Sequence, residues 1–251
     1  MTERLDALMV RMQLVSGREK AKELIKSGSV YVDGAPVSKA STPVDGDKQS
    51  VEIRGSILPY VSRGGLKLAK AVEEFKLDLK DCVCMDIGAS TGGFTDVCLQ
   101  NGARLVYAID VGHDQLAESL REDSRVISME RQNFRYCTKD MFAVEPDVAV
   151  SDVSFISLTL ILGPAYSILK PGGTMVCLIK PQFEAGKSNI GKNGVVKDKK
   201  VHTQVIKKVT DFALSLGFEV KGVTESPIKG PEGNTEYLLW LQKSCNWEIT
   251  K

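Results

Sequence analysis

The sequence predicts an α/β protein with a doubly wound, mostly parallel sheet whose final hairpin is reversed, preceded by a small α/β domain. Beyond residue 63, short apolar runs alternate with segments of helical spacing. The stretch DIGASTGGFTD at 86–96 has the form of a glycine-rich turn between a strand and a helix. The first sixty residues follow a different pattern. We therefore expect one domain over 1–60 and another over 61–251.

The composition limits the class of protein. With 251 residues, 43% of them hydrophobic, the chain can bury one substantial core and a small accessory domain. No stretch reaches the roughly 18 consecutive apolar residues of a membrane span, and the best candidate, 158–169, is interrupted by Gly163 and Pro164. The first ten residues carry charges within their apolar run and show no cleavage-like site. We expect a cytoplasmic protein that does not associate with membranes.

The six cysteines lack the spacing of metal ligands. Most of them fall within predicted strands and helices, so we expect reduced thiols, with neither disulfides nor a bound metal.

Charge is distributed unevenly although the formal net charge is only +1. Residues 81–150 contain six Lys or Arg against twelve Asp or Glu, whereas 180–208 contain eight lysines against two acidic residues. A solvated surface explains such a run of lysines. A basic loop that directly follows a strand end also suits a polyanionic substrate.

The first domain is predicted to contain two helices and a short hairpin. Apolar spacing indicates amphipathic helices over 3–14 and 18–27. Short strands are expected at 29–32 and 51–53, with a turn at 33–36. The basic side chains of this region have two explanations: they keep a small module soluble, or they bind a polyanion.

The stretch RLDALMVRMQLVSGREKAKELIKSGSVYVDG resembles the RNA-binding module first known from a small-subunit ribosomal protein, the S-four domain. The resemblance implies that basic residues on the helix pair bind structured RNA. The candidates are Arg4, Arg18, Lys20 and Lys22, and Lys26 shares the face of Arg18 and Lys22. The family pattern has Ser-Arg where this chain has Ser16-Gly17-Arg18, a departure of one residue.

Helices and strands alternate after a linker predicted at 55–62. The predicted elements are a helix at 64–75, strand 82–87, helix 93–100, strand 104–110, helix 114–121, strands 125–129 and 147–152, helix 156–169, strand 174–180 and helix 200–216. The last two strands, 218–224 and 236–241, have no helix between them. One of these two must therefore run antiparallel to its neighbours.

The glycine turn has two candidate ligands. A dinucleotide fingerprint places glycines as G-x-G-x-x-G, but this chain has Gly88-Ala89-Ser90-Thr91-Gly92-Gly93, which lacks the second glycine. The spacing Asp86-x-Gly88-x-x-x-Gly92 instead resembles the first motif of S-adenosylmethionine (SAM) methyltransferases, which have a Rossmann-like sheet. Asp110, at the end of the next strand, is placed to bind the ribose diol of either cofactor.

The reversed final hairpin is typical of the SAM methyltransferase sheet and favours SAM over a dinucleotide. The resemblance implies that the cofactor is bound by Asp86, Gly88, Ala89, Ser90, Thr91, Gly92, Gly93 and Asp110.

Two common kinds of active site find little support. The chain has two histidines, His113 and His202, and both are expected at the surface, which disfavours metal hydrolysis and Ser-His chemistry. The Asp/Asn-Pro-Pro-aromatic motif of amino-methylating enzymes is also absent, because residues 151–155 read SDVSF.

Four charged residues are predicted to meet at one edge of the sheet. Asp152 and Lys180 end parallel strands, and ligands of open α/β sheets bind at that edge. Glu236 begins the final antiparallel strand, and Lys67 lies in the first turns of a helix that runs opposite to the strands. Each residue taken singly is explained as a surface charge or a helix cap.

Together these residues resemble the Lys-Asp-Lys-Glu tetrad of FtsJ-type RNA ribose 2'-O-methyltransferases, which implies that Lys67, Asp152, Lys180 and Glu236 are catalytic. A wider resemblance to the TlyA family of ribosomal RNA 2'-O-methyltransferases rests on YVSRGGLKLAKA, DIGASTGGFTD, DVSFISL, IKPQFEAGK, GVVKD and SPIKGPEGNTEYLLW. This family implies SAM-dependent methylation of a cytidine 2'-hydroxyl in ribosomal RNA, with a ribosomal subunit as partner.

Two alternatives remain. The same family carries a haemolysin label, which would mean a membrane-active protein, and the chain could be a non-catalytic ribosome-binding assembly factor. The complete tetrad argues against the second. The modified nucleotide, the ribosomal subunit, the lysine that acts as base and the oligomeric state stay open.

Overall fold

The computed structural model describes residues 2–26, 28–53, 58–191 and 193–245, without the side chains of Glu23, Lys26 and Lys187. These residues form two units, Met1–Pro59 and Tyr60–Lys251. Part of the predicted linker, residues 55–57, lies outside the described residues.

The described residues of the first unit form two helices and five short strands. They are β1 (Thr2–Arg4), α1 (Leu5–Arg11), α2 (Arg18–Lys26), β2 (Val30–Val32), β3 (Ala35–Pro36), β4 (Pro43–Asp45) and β5 (Val51–Ile53). β1 pairs with β4, and β2 lies between β3 and β5, all antiparallel. Leu5, Leu8 and Met9 on α1 pack with Ile25 on α2 in the core of the unit.

The helix predicted at 3–14 is wrong at both ends. The chain stays extended through Arg4 because residues 2–4 pair with 43–45 in a strand pair that has no local sequence signal. The helix stops at Arg11, and Gln13 then takes a left-handed conformation with φ of 57°.

The second unit is a single sheet with helices on both faces. Its elements are α3 (Gly65–Phe75), β6 (Val83–Ile87), α4 (Gly93–Gln100), β7 (Leu105–Ile109), α5 (Glu118–Arg121), β8 (Val126–Met129), β9 (Val148–Ser151), α6 (Thr159–Ile168), β10 (Thr174–Ile179), α7 (Pro181–Glu184), α8 (Lys199–Ser215), β11 (Phe218–Glu225) and β12 (Tyr237–Lys243). The central strands are buried on both faces, as parallel strands covered by helices must be.

The sheet has the order β11-β12-β10-β9-β6-β7-β8. The strands from β10 to β8 are parallel, and β12 is antiparallel to both of its neighbours. The predicted fold class, including the reversed final hairpin, is confirmed.

Two local predictions are wrong. The helix predicted at 114–121 is shortened to α5, because Asp110 accepts a hydrogen bond from the Gly112 N–H and Asp114 has a φ of 52°. His202 is buried rather than on the surface: its Nδ1 lies 2.8 Å from the Tyr237 hydroxyl and its Nε2 lies 2.8 Å from the Val196 carbonyl.

All six cysteines are free thiols. Within the described part of the chain, no helix has the length and apolar character needed to cross a bilayer. Over the same residues, no group of three or more His, Cys, Asp or Glu side chains could hold a metal ion.

A buried carboxylate connects the two helices of the first unit. Asp6 has no exposed side-chain surface, and its oxygens accept hydrogen bonds from Arg4 at 3.0 and 3.2 Å and from Arg18 at 2.9 Å. The bonds from Arg4, supported by Arg18 and opposed by burial, lower the pKa of Asp6 to about 2. Because the folded-state pKa lies below the ordinary value of 3.8, this carboxylate stabilises the fold above about pH 4.

We predict that the stability supplied by Asp6 is lost as the pH falls from about 4 towards 2. Asp6→Asn should destabilise the first unit at pH 7 by about 1 to 3 kcal/mol, because an amide cannot accept all three charge-assisted hydrogen bonds from Arg4 and Arg18. Urea unfolding followed through the amide NMR signals of α1 and α2 measures this. The control is Glu19→Gln, which removes an exposed pair with Lys22 and should cost under about 0.5 kcal/mol. Equal stability of the two variants would contradict the prediction.

Candidate functional site

The turn between β6 and α4 folds back onto the end of β7. Gly88 and Gly92 have φ values of 83° and 98°, and Ser90 between them is left-handed at 48°. The Ser90 N–H donates to Asp110 Oδ2 at 2.8 Å, and the Gly112 N–H donates to Asp110 Oδ1 at 2.7 Å. Asp110 therefore fixes both loops that enclose the space between β6 and β7.

A cavity of about 470 Å³ opens beside this turn. Its apolar wall includes Ile87, Ile109, Val111, Phe134, Val153, Ile156 and Ile161, and its polar lining includes Ser90, Asp110, Gln132, Asn133, Asp152 and Ser154. A cavity of this volume, with apolar walls and a few polar side chains, is typical of a small-molecule site. An adenosine fits this lining, because its ring needs apolar walls and the hydroxyls of its ribose need a carboxylate that accepts hydrogen bonds.

A second cavity of about 250 Å³ adjoins the same turn on the side of α3. Lys67, Asp152 and Lys180 line it, together with Ala89, Thr91 and Gly93. Gly88, Ser90, Asp152 and Ser154 line both cavities. A ligand in the larger cavity thus has a direct path to the charged residues.

Two of the predicted cofactor residues lie behind the turn rather than along either cavity of the described chain. A Cβ on Gly92 would lie 2.3 Å from Leu120 Cδ1, so this glycine permits α5 to pack closely. Asp86 is fully buried, and its Oδ2 accepts from the Thr95 N–H at 2.9 Å and the Thr95 hydroxyl at 2.7 Å. Burial raises the pKa of Asp86 to about 7, although the bonds from Thr95 lower it. Asp86 therefore holds the start of α4.

Lys67, Asp152, Lys180 and Glu236 are in contact. Lys67 Nζ lies 3.0 Å from Asp152 Oδ2 and 2.8 Å from Glu236 Oε2. Lys180 Nζ lies 2.5 Å from Asp152 Oδ1. We call these four residues the tetrad. Its two ammonium groups and two carboxylates give a formally neutral cluster.

Strand register places the tetrad at the carboxyl edge of the sheet. Ser151 is level with Cys177 on β10, and Ile179 is level with Tyr237 on β12. Asp152, Lys180 and Glu236 directly follow or precede these positions. Lys67 reaches them from the first turn of α3, where the helix returns to this edge.

The members of the tetrad differ in whether they line the smaller cavity. Lys67, Asp152 and Lys180 line the smaller cavity, whereas Glu236 is 1% exposed and is separated from it. Glu236 contacts the site through Lys67. Burial raises the pKa of Asp152, but the charges of Lys180 and Lys67 outweigh burial, so its pKa lies below the ordinary value.

Several residues that line the site were not predicted from the sequence. Gln132, Asn133 and Phe134 follow β8 and form one end of the larger cavity. Ser154 accepts a hydrogen bond from Lys180 at 2.8 Å, and Phe155 beside it is 90% exposed with a φ of 63°. The signal that could have found them is position, since all of them follow strands whose carboxyl ends meet at this edge.

The predicted RNA-binding residues of the first unit lie on its surface or close to it. Arg4 and Arg18 are exposed, and both contact Asp6. Lys22 is exposed and pairs with Glu19 at 2.5 Å, and Lys20 is half-buried.

The lysine-rich segment 180–208 has three exposed lysines around the start of α8: Lys197, Lys199 and Lys200. Two others are paired with acidic residues, Lys207 with Asp211 at 2.7 Å and Lys208 with Glu184 at 3.2 Å. Lys192 and the side chain of Lys187 lie outside the described residues.

Comparison with known proteins gives the family. The model of the FtsJ-like methyltransferase family matches residues 60–243, and that of the S4 domain matches 3–49. The "Putative rRNA methyltransferase YqxC" of Bacillus subtilis is 50% identical over 240 residues, covering 95% of this chain and 85% of the relative. The "16S/23S rRNA (cytidine-2'-O)-methyltransferase TlyA" of Mycobacterium tuberculosis is 43% identical over 239 residues, covering 95% and 89%.

A solved structure is also similar to this chain over nearly its whole length. The "Putative hemolysin" of Streptococcus thermophilus superposes with a TM-score of 0.78 at 49% identity, covering 97% of this chain and 89% of that one. The match of the family model to residues 60–243 and the identity to these relatives over nearly the whole chain lead to one assignment. The chain belongs to the FtsJ-like methyltransferase family and carries an S4 domain at its N-terminal end.

Proposed function

We propose that this methyltransferase transfers a methyl group from SAM to the 2'-hydroxyl of a cytidine in ribosomal RNA, within a ribosomal subunit in the cytoplasm. The observation that carries the proposal is the cluster of Lys67, Asp152 and Lys180 on the wall of a cavity that adjoins the glycine turn. The names of the TlyA and YqxC relatives support ribosomal RNA as the substrate class.

The larger cavity is proposed to hold SAM, whose sulfonium supplies an electrophilic methyl group. Asp110 would accept hydrogen bonds from the ribose diol, since each carboxylate oxygen retains a lone pair beyond its bond to the backbone. Phe134 and Ile156 would contact the adenine ring on the apolar wall. The turn at Gly88 and Ser90 leads from this cavity to the tetrad.

The tetrad is proposed to activate the acceptor. A ribose hydroxyl is a weak nucleophile, so a neighbouring group must accept or orient its proton. Lys67 contacts two carboxylates, whereas Lys180 contacts one carboxylate and one hydroxyl. We assign proton acceptance to Lys180 and the orientation of Asp152 to Lys67, with Glu236 acting through Lys67.

The edge of the larger cavity also suits an unpaired nucleotide. Phe155 is 90% exposed at the edge of the larger cavity, and its ring centroid lies 5.1 Å from that of Phe183. Sequence-specific recognition of RNA relies on unstacked bases that pack on aromatic side chains. Basic residues of the S4 domain and Lys197, Lys199 and Lys200 are proposed to hold the phosphate backbone.

We predict that SAM binding depends on Asp110. Asp110→Ala should weaken binding by about 5- to 150-fold, which corresponds to about 1 to 3 kcal/mol of lost hydrogen bonding. Gly88→Val should abolish it, because φ is positive and a Cβ would lie 3.1 Å from Val153 Cγ1. Isothermal titration calorimetry measures both. Asp114→Asn is the control, since this neighbouring carboxylate is 74% exposed. Unchanged SAM affinity in the first two variants would contradict the cofactor site.

We predict that the methyl group is transferred to a ribose oxygen. A substrate with 2'-deoxyribose at the target should be inert, because the nucleophile is missing. The product should resist alkaline cleavage at that position, because its 2'-oxygen can no longer attack the phosphodiester. Labelled SAM with each ribosomal subunit as substrate tests both. Label recovered on the base would overturn the assignment.

Lys180→Ala should lower the transfer rate by at least about a hundredfold while SAM still binds, as expected for a group that acts mainly in the transition state. The control is Lys221→Ala, a lysine on edge strand β11 of the same sheet. A Lys180→Ala variant with near wild-type rate would refute the proposed base.

We predict that RNA affinity falls steeply with salt. Replacing Lys197, Lys199 and Lys200 together by alanine should reduce the slope of log K against log salt by about 2 to 3 units, because phosphate contacts release counterions. Filter binding to ribosomal RNA at several salt concentrations measures the slope. Lys207→Ala is the matched control because Asp211 already pairs with that lysine. An unchanged slope in the triple variant would exclude these lysines from the RNA interface.

A further inference from the structure

The Lys180 ammonium has two polar contacts within the site, and its Nζ also lies 6.0 Å from the centroid of the Phe183 ring. Its Nζ lies 2.5 Å from Asp152 Oδ1 and 2.8 Å from Ser154 Oγ, and the side chain is only 8% exposed. Lys180 and Ser154 both line the smaller cavity. An ammonium group has three donors in a tetrahedral arrangement, so two contacts fix the direction of the third.

The direction of that third N–H bond determines where the lone pair of Lys180 lies after the ammonium group has lost a proton. A neutral amine keeps two N–H bonds and gains one lone pair. If Asp152 and Ser154 accept the two N–H bonds, the lone pair takes the remaining direction. Since Asp152 and Ser154 are both on the loop that follows β9, this direction points away from that loop and is fixed by it.

The loop that carries Ser154 is itself held at its far end. Glu184 is 6% exposed and accepts hydrogen bonds from the Leu158 N–H at 2.7 Å and the Ser157 hydroxyl at 2.8 Å. Lys208 donates to the same carboxylate at 3.2 Å. The loop is thus anchored at Asp152 by the tetrad and at Leu158 by Glu184. Ser154 lies between two fixed points.

We infer that Ser154 is a positioning residue for methyl transfer, which acts by holding Lys180 so that its free lone pair faces the acceptor hydroxyl. The inference rests on the proposed function. In the step, the 2'-hydroxyl proton passes to the neutral Lys180 amine and the ribose oxygen bonds to the methyl carbon. The carbon–sulfur bond breaks with its electron pair retained by sulfur, and Lys180 later releases the proton to solvent.

Ser154 differs from the tetrad in one respect. Its hydroxyl is neutral, so it orients Lys180 without adding a charge that would favour the ammonium form. A carboxylate at this position would give Lys180 two anionic partners, as Lys67 has. A hydroxyl therefore satisfies the geometry and still permits a proton to leave.

The test compares Ser154→Ala with Ser154→Thr in the full chain. With labelled SAM and unmodified ribosomal subunits, Ser154→Ala should lower kcat by about 10- to 100-fold. The KM for the subunit and the calorimetric Kd for SAM should stay within about twofold of wild type. Ser154→Thr, which keeps the hydroxyl, should recover most of the rate.

Ser167→Ala is the matched control, since it removes an exposed hydroxyl on α6 that donates to the Gly163 carbonyl and does not contact Lys180. It should retain a kcat above that of Ser154→Ala. A wild-type kcat in Ser154→Ala, or equal losses in Ser154→Ala and Ser154→Thr, would overturn the inference. Failure of the proposed function is separate, because the wild-type chain would then transfer no label to a ribose oxygen of either ribosomal subunit.

Discussion

The contact on which the site depends is the carboxylate of Asp152, which has a different lysine ammonium beside each oxygen. Two ammonium groups this close and this poorly hydrated would repel each other without an anion between them. Asp152 removes that repulsion and holds α3, β9 and β10 at one point. Glu236 supplies the second negative charge, so the cluster is neutral and can be buried.

The reversal of β12 determines whether the tetrad can form. Glu236 directly precedes this strand, and the antiparallel pairing of Tyr237 with Ile179 brings it level with the end of β10. A parallel β12 would place the start of its seven residues at the opposite edge, roughly 20 Å away at 3.3 Å per residue. Fold topology and the composition of the site are therefore linked.

The sequence predicts the fold and the edge of the sheet at which the tetrad lies, because both depend on the pattern of apolar residues and on strand order. Short continuous apolar runs identify β6, β7, β9 and β10, and the absence of a helix between the last two strands predicts the reversed hairpin. Once these elements are known, the positions of Asp152, Lys180 and Glu236 follow from topology. Their distances and their different exposures require side-chain packing, which periodicity does not contain.

Other features depend on contacts between residues far apart in the chain. The strand pair of Thr2–Arg4 with Pro43–Asp45 has no local signal, so the first helix was predicted too long. His202 was predicted at the surface because α8 is rich in lysine, but Tyr237 and Val196 enclose its ring. Ser154 and Phe155 lie in a short loop whose sequence has neither helical nor strand periodicity.

Asp86 and Asp152 show that the negative charge near the two cavities cannot be found by counting acidic residues. Asp86 is buried and Asp152 is half-buried, each beside a strand end, yet the pKa of Asp86 is raised to about 7 and that of Asp152 is lowered. Asp152 has two cations as partners, whereas Asp86 has only the N–H and hydroxyl of Thr95. Asp86 therefore contributes mainly to the position of α4. The carboxylates that line the two cavities are those of Asp152 and Asp110, at the two ends of the path that the proposed cofactor would occupy.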